Sequence, residues 1–394
     1  MISSQNLANI LEVLSYLIFG LVLVSILHPL SQIRFKIYYH NNEKNKKRIM
    51  QCPHIKKGIF LPTIYLLSGT LQAIFGKFSK LHDANIHFKE EHLELPCGGI
   101  VGMYWASQLV ETESAKAKAK KVVVIMVPGL TASFKEPYIR NISSEALENG
   151  YKVVIYHNRG NQVALTLPKE GYLDYSIDLK YAVDYVVKTY PDHQIFAVGH
   201  SLGANNLVNY LAKYKDDCPI KVAASVSNPF DFHKAGEGVK DTMFDGFLAQ
   251  MMQNWARRNQ DVLLNAPKYL DIKYELAMQA KTLRGFDEQI TRRLYGYPHY
   301  NDYYTGISSV FNIKDINIPL LCLNSKDDPV LNHGSICIEE CQKNENIILI
   351  VTHNGGHVGW FHGILQPKRW YPKPVIEYLN TCFEELQEEG LHKK

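Results

Sequence analysis

The chain of 394 residues lacks the spacings that hold metals or phosphates: no Cys-x-x-Cys, no His-Glu-x-x-His and no phosphate-cradling glycine-rich loop. Zinc sites, metalloprotease helices and nucleotide cradles are therefore not readable in it, and no metal or cofactor is expected. It also lacks a charge excess of either sign. A formal net charge of +4, scattered along the chain, is too small to point to a nucleic-acid partner. Seven cysteines, an odd number spread from Cys52 to Cys382, do not make a disulfide framework and read as reduced thiols. Cys337 and Cys341 can share a helix face, which fixes neither a bond nor a ligand set. No internal repeat divides the chain, so one large catalytic core is expected.

Residues 13–33 hold no Asp, Glu, Lys or Arg, enough for a spanning helix, which needs roughly 20 mostly apolar residues. Residues 1–12 have no Lys or Arg and no small-x-small site follows the run, which favours a retained anchor over a cleaved signal peptide. Arg34, Lys36, Lys44, Lys46, Lys47, Arg48, Lys56 and Lys57 follow the run. The positive-inside rule then predicts a single-pass membrane protein whose bulk faces the cytosol, or a mitochondrial matrix. The same basic residues can meet anionic headgroups or form a solvated linker. A second uncharged stretch, residues 58–76, contains Pro62, Ser68, Gly69, Thr70 and Gln72. Its residues 64–75 are expected as a helix on the membrane surface or beside the core, with a second span, which would invert the catalytic side, as the alternative.

The most informative residues are Gly199-His200-Ser201-Leu202-Gly203, between an apolar run at 195–198 and a helix-like stretch at 204–213. Strand, sharp turn and helix are the setting of a nucleophile elbow, where glycines two positions either side leave room for a turn that lifts the serine hydroxyl clear. Two further apolar runs follow in the order nucleophile, acid, base. Residues 318–324 lead to Asp327 and Asp328, of which Asp328 is favoured because acid, any residue and aliphatic fit Asp328-Pro329-Val330; Asp327 is the alternative. Residues 347–351 lead to Gly355-Gly356-His357-Val358-Gly359, where glycines let His357 fold back over the sheet edge. An oxyanion hole needs two backbone N–H donors. Leu202, next to the serine, and Leu130, in the loop after the strand at 121–127, are the candidates.

Short apolar strands at 121–127, 152–156, 195–199, 222–227, 319–324 and 347–351 alternate with helical patterns at 136–149, 176–190 and 204–214, after an opening hairpin at 86–93 and 100–106. Such alternation predicts an α/β fold with a mostly parallel sheet covered on both faces. Three segments are expected: an anchor (1–35), a basic linker with a membrane-proximal apolar helix (36–83), and a catalytic domain (84–388) with a helical cap at about 229–317. In the cap, helical pieces are expected at 243–259 and 269–281, and Phe244, Phe247, Leu248, Met251, Met252 and Trp255 make an apolar stripe, either ordinary packing or the lining of an acyl-chain groove.

With these residues in view, the chain resembles the membrane-anchored type-4 branch of the AB hydrolase superfamily, whose members act on acyl esters and lipids. The resemblance rests on Pro128-Gly129-Leu130-Thr131, Tyr138-Ile139-Arg140, Asn158-Arg159-Gly160, the elbow with Ala204-Asn205, Ser227-Asn228-Pro229-Phe230-Asp231, Phe286-Asp287-Glu288, Asp302-Tyr303-Tyr304 and the segments holding Asp328 and His357. It implies an α/β-hydrolase fold with Ser201, Asp328 and His357 at the triad positions. Ala132 stands where a second glycine is common, and the His-x-x-x-x-Asp pattern linked to acyltransfer in some relatives is absent. The expected activity is hydrolysis of carboxylic esters of lipids, of acylglycerol or phospholipid type. Acyl transfer by the same triad and a non-catalytic subunit of a membrane complex are the alternatives.

Overall fold

The computed structural model describes residues 15–16, 32–79, 86–109, 113–167 and 176–392. The run expected to span a membrane, residues 13–33, lies outside the described residues apart from Ser15, Tyr16, Gln32 and Ile33. Among the described residues no helix is long and apolar enough to cross a membrane.

Nine strands share one sheet: β1 (Lys36–Tyr39), β2 (Ile86–Glu94), β3 (Ile100–Gln108), β4 (Val122–Val127), β5 (Lys152–His157), β6 (Gln194–His200), β7 (Ile220–Val226), β8 (Leu320–Ser325) and β9 (Ile347–Thr352). Their order is β1-β9-β8-β7-β6-β4-β5-β3-β2. The six inner strands, β4 through β9, run parallel. β4, β8 and β9 are buried along their whole length because helices cover both faces, so a continuous apolar run, rather than an alternating one, is their signature. Parallel strands put all their carboxyl ends on one edge, and every loop carrying a candidate site residue leaves from that edge.

The principal helices are α1 (Glu43–Gln51), α2 (Pro53–Lys57), α3 (Gly69–Phe78), α4 (Pro137–Glu148), α5 (Ser176–Thr189), α6 (Leu202–Tyr214), α7 (Met243–Arg258) and α8 (Pro372–His392). The cap helix α7 follows its predicted range closely. The predicted helix at 269–281 does not form as one piece. Asp271 adopts a left-handed φ of 49°, which ends a 3-10 turn at Lys268–Leu270, and a short helix, Tyr274–Met278, starts afresh.

The segment read as a basic linker folds onto the catalytic core instead. β1 adds antiparallel to β9 at the sheet edge, and α1 lies along α8. Lys44, Lys47 and Arg48 meet Glu389, Glu388 and Glu385 at 3.3, 3.0 and 2.8 Å, and Lys46 meets Glu43 at 2.9 Å. Half of the basic cluster is thus neutralised within the protein. The expected helix at 64–75 is also corrected: residues 64–68 are turn and extended chain, and α3 starts at Gly69 because the Ser68 hydroxyl accepts from the Leu71 N–H. α3 packs beside the core as a wall of the site.

Of the pairs joining α1 to α8, those of the exposed Lys44 and Lys47 are screened by solvent and add little. Arg48–Glu385 is different, because the guanidinium is buried and donates from Nε and Nη2 to both carboxylate oxygens. Glu385→Ala, which strands that cation, should destabilise the protein by about 3 kcal/mol in denaturant unfolding. The double change Arg48→Met with Glu385→Leu should recover most of the loss.

Candidate active site

Ser201 closes β6 and opens α6 at φ 54° and ψ −125°, a conformation that side-chain-bearing residues avoid. The surroundings enforce it. Its N–H donates to the Val226 carbonyl at 2.9 Å. A Cβ on Gly199 would lie 2.6 Å from the Ala204 Cα, and one on Gly203 would lie 2.2 Å from the carbonyl oxygens of Val127 and Pro128. Neither position admits any other residue without moving backbone.

The loop after β9 brings His357 over the edge. Its Nε2 lies 2.9 Å from the Ser201 Oγ and its Nδ1 lies 2.8 Å from Asp328 Oδ2. The other Asp328 oxygen accepts the N–H groups of Val330 and Leu331 at 2.9 and 3.1 Å, so the carboxylate is fixed from both sides. The Asp328 side chain is 1% exposed and that of His357 14%. Such a chain of bonds allows the imidazole to take the serine proton while the carboxylate faces the charge that forms.

The two neighbouring aspartates have separate tasks. Asp327 Oδ1 accepts from the Ser325 hydroxyl at 2.5 Å and from the Gly356 N–H at 3.0 Å, while both imidazole nitrogens are taken by Asp328 and Ser201. Burial raises its pKa above the usual carboxylate range. It braces the histidine loop. The Ser227 hydroxyl does the same by accepting the Val358 N–H at 3.1 Å.

Beside the nucleophile, the loop after β4 approaches so closely that a Cβ on Gly129 would sit 3.0 Å from the Ser201 Cβ. The Gly129 N–H is engaged by the Tyr138 hydroxyl at 3.1 Å. Among the described residues no protein acceptor takes the N–H of Leu130 or of Leu202, the first residue of α6. Both amides remain available to an oxyanion, with the positive end of the α6 dipole behind them. Ala132 is buried and its N–H donates to the Gly129 carbonyl at 3.2 Å, so the methyl group fits without opening the turn.

The serine and histidine line a cavity of about 400 Å³. Of the cap stripe, Phe244, Phe247, Leu248, Met251 and Met252 face it, while Trp255 lines a smaller neighbouring cavity of about 100 Å³. Met252 and Trp255 also belong to the buried cluster of the cap, with Phe286 and Ile290. Three polar groups in the large cavity were not singled out from sequence. Asp287 starts a π-helical turn and is pushed up to about 7 by burial, so it is neutral at lower pH. The buried Arg369 donates to the carbonyls of Val358 and Gly76 and to Asn141 Oδ1. Tyr138 holds the loop after β4 through the Gly129 N–H. Tyr138 and Asp287 sit within motifs visible in the sequence, but no local pattern disclosed what they touch.

The sequence pattern of the alpha/beta hydrolase fold matches residues 122–363. The chain belongs to that family. Among its relatives, embryogenesis-associated protein EMB8 of Picea glauca is 30% identical over 337 residues, covering 82% of this chain and 72% of the relative. Phospholipase ABHD3 of Homo sapiens is 29% identical over 370 residues, covering 92% and 88%. A monoacylglycerol lipase of Saccharomyces cerevisiae is 30% identical over 278 residues, covering 69% and 62%.

The geometry separates the aspartates by experiment. Asp328→Asn should lower kcat by several orders of magnitude, as the ~10⁴ loss for a triad aspartate in a serine protease illustrates. Asp327→Asn should cost far less and mainly lower thermal stability. Steady-state kinetics on one ester substrate decides, and a reversed ranking would move the acid to Asp327.

Proposed function

We propose that the chain is a serine hydrolase of lipid carboxylic esters, of acylglycerol or phospholipid type, working through Ser201, His357 and Asp328. The reaction class, carboxylic ester hydrolysis, is that of the phospholipase and monoacylglycerol lipase relatives within the family. The observation that carries the finer reading is the continuous contact from Asp328 through His357 to Ser201, opening onto a cavity walled by α7 and α3. In this mechanism His357 takes the Ser201 proton as Oγ attacks the ester carbonyl, and the Leu130 and Leu202 amides hold the oxyanion. His357 then protonates the leaving alcohol, and a water molecule, deprotonated by His357, releases the fatty acid.

Met251 on α7 faces the cavity, so its volume bears on acyl-chain length. Met251→Trp should lower kcat/KM for long-chain esters by tenfold or more, the effect of about 1.4 kcal/mol, and leave a short-chain ester within a factor of about two. Equal losses on both would remove the acyl-groove assignment.

The same reading includes an anchor over residues 13–33 with the catalytic domain on the cytosolic side, supported by the basic residues that follow the run. Sealed microsomes test the orientation: protease should digest the catalytic domain, and protection would reverse the topology.

A further inference from the structure

Two loops distant in sequence are stapled together next to α3, and the staple leaves apolar side chains pointing out. The Thr63 N–H donates to the Phe361 carbonyl at 2.9 Å, its hydroxyl donates to the Gly363 carbonyl at 2.7 Å, and the Tyr65 hydroxyl donates to the Ile364 carbonyl at 2.7 Å. These bonds fix a short hairpin, β10 (Phe361–His362) and β11 (Lys368–Arg369), against residues 61–65. The tip of that hairpin carries Ile364 and Leu365, 61% and 92% exposed, and the adjoining loop exposes Leu61, Ile64 and Tyr65. Apolar side chains held outward together by hydrogen bonds between two loops mark a contact surface rather than a scatter of surface residues.

The patch continues to the mouth of the cavity. Phe361 stacks edge-on against Phe75 of α3 at 4.8 Å, and the last residue of α3, Phe78, is 75% exposed while also lining the cavity. In the other direction the patch joins the uncharged N-terminal run. The Phe60 N–H donates to the Ile33 carbonyl at 2.8 Å, and Arg34 bridges Ile59. The chain that follows the apolar residues 13–33 therefore enters the fold one residue from Leu61.

Charge identifies the occupant. Lys44, Lys46, Lys47 and Arg48 are paired with carboxylates, but Arg34, Lys56, Lys57 and Lys368, which lie on the segments bearing the patch, have no carboxylate partner among the described residues. An apolar face fringed by free cations suits an anionic lipid surface, which attracts each such charge. We propose that residues 61–65 and the 363–366 hairpin tip insert into the headgroup region of an anionic bilayer, presenting the cavity mouth at Phe78 to lipid esters in that bilayer. The proposal rests on the lipid-ester reading of the site, and it adds a docking face on the catalytic domain itself.

The test uses the full chain with Cys97→Ser, which removes the exposed thiol, and either Leu365→Cys or Lys188→Cys labelled with an environment-sensitive fluorophore. Lys188 precedes β6 and so lies at the end of the sheet away from Ser201. After reconstitution in vesicles of equal phosphatidylcholine and phosphatidylserine, doxyl groups on the acyl chains should quench the label at position 365 and not that at 188. Quenching at neither site, or equally at both, overturns the proposal, as does a label at 365 that is shielded from water but unquenched, the mark of a second copy or of the chain's own N-terminal segment. In parallel, Ile364→Asp with Leu365→Asp should lower turnover of a vesicle-borne ester roughly tenfold or more and leave a soluble short-chain ester unchanged. Unchanged vesicle turnover contradicts the proposal. A parent protein that hydrolyses neither ester would defeat the hydrolase reading, while the quenching result would still decide the docking face.

Discussion

The turn at Ser201 is the constraint around which the rest of the site is arranged. A residue held near φ 54° costs about 1–3 kcal/mol and persists only where its surroundings determine it from several directions. Here those directions are the Val226 carbonyl below, the Val127 and Pro128 carbonyls against Gly203, and the Ala204 backbone against Gly199. These are backbone contacts between neighbouring parallel strands and the helix that follows, so the elbow is as rigid as the centre of the sheet. One consequence is positional: the Ser201 hydroxyl stands at the carboxyl edge, with the first turn of α6 behind it.

His357 and Asp328 are held by a second set of contacts that depends on the first. His357 reaches Ser201 because the loop after β9 is braced at Gly356 by Asp327 and at Val358 by Ser227. α3 completes that brace from outside. A Cβ on Gly69 would fall 1.9 Å from the Asp327 carbonyl oxygen, and one on Gly356 would fall 2.3 Å from the Gly69 carbonyl oxygen. Helix, acid loop and histidine loop thus meet backbone to backbone. The N-terminal region before the first central strand is consequently part of the site's construction, and the buried Arg48–Glu385 pair ties its other end to α8.

What could be read from the sequence followed from how local each signal is. The central strands were legible because runs of consecutive buried apolar residues, such as Val122–Val127, leave a plain mark, and the turn at Ser201 and the loops of Asp328 and His357 were legible because each follows such a strand with its own glycines or proline. β1 was not. Lys36-Ile37-Tyr38-Tyr39 borders a basic stretch and gains strand structure only from pairing with β9, more than 300 residues away in the chain. The cap was legible as an insertion and as one helix, but not at Asp271, where a left-handed residue interrupts the apolar period. The roles of Asp327, Ser227, Tyr138 and Arg369 depend on contacts between remote segments, for which single-chain periodicity holds no record.

The central claim is that Ser201 is an activated nucleophile in an open site, and covalent labelling measures that property directly. A fluorophosphonate probe reacts with a serine only when a base withdraws its proton and amides receive the developing charge. With the full chain in membranes or mild detergent, the expected result is a single adduct on the peptide containing Ser201, blocked beforehand by a long-chain ester and missing in a folded Ser201→Ala variant. A folded wild-type chain that never labels, or a Ser201→Ala variant that hydrolyses a lipid ester near the wild-type rate, would contradict it.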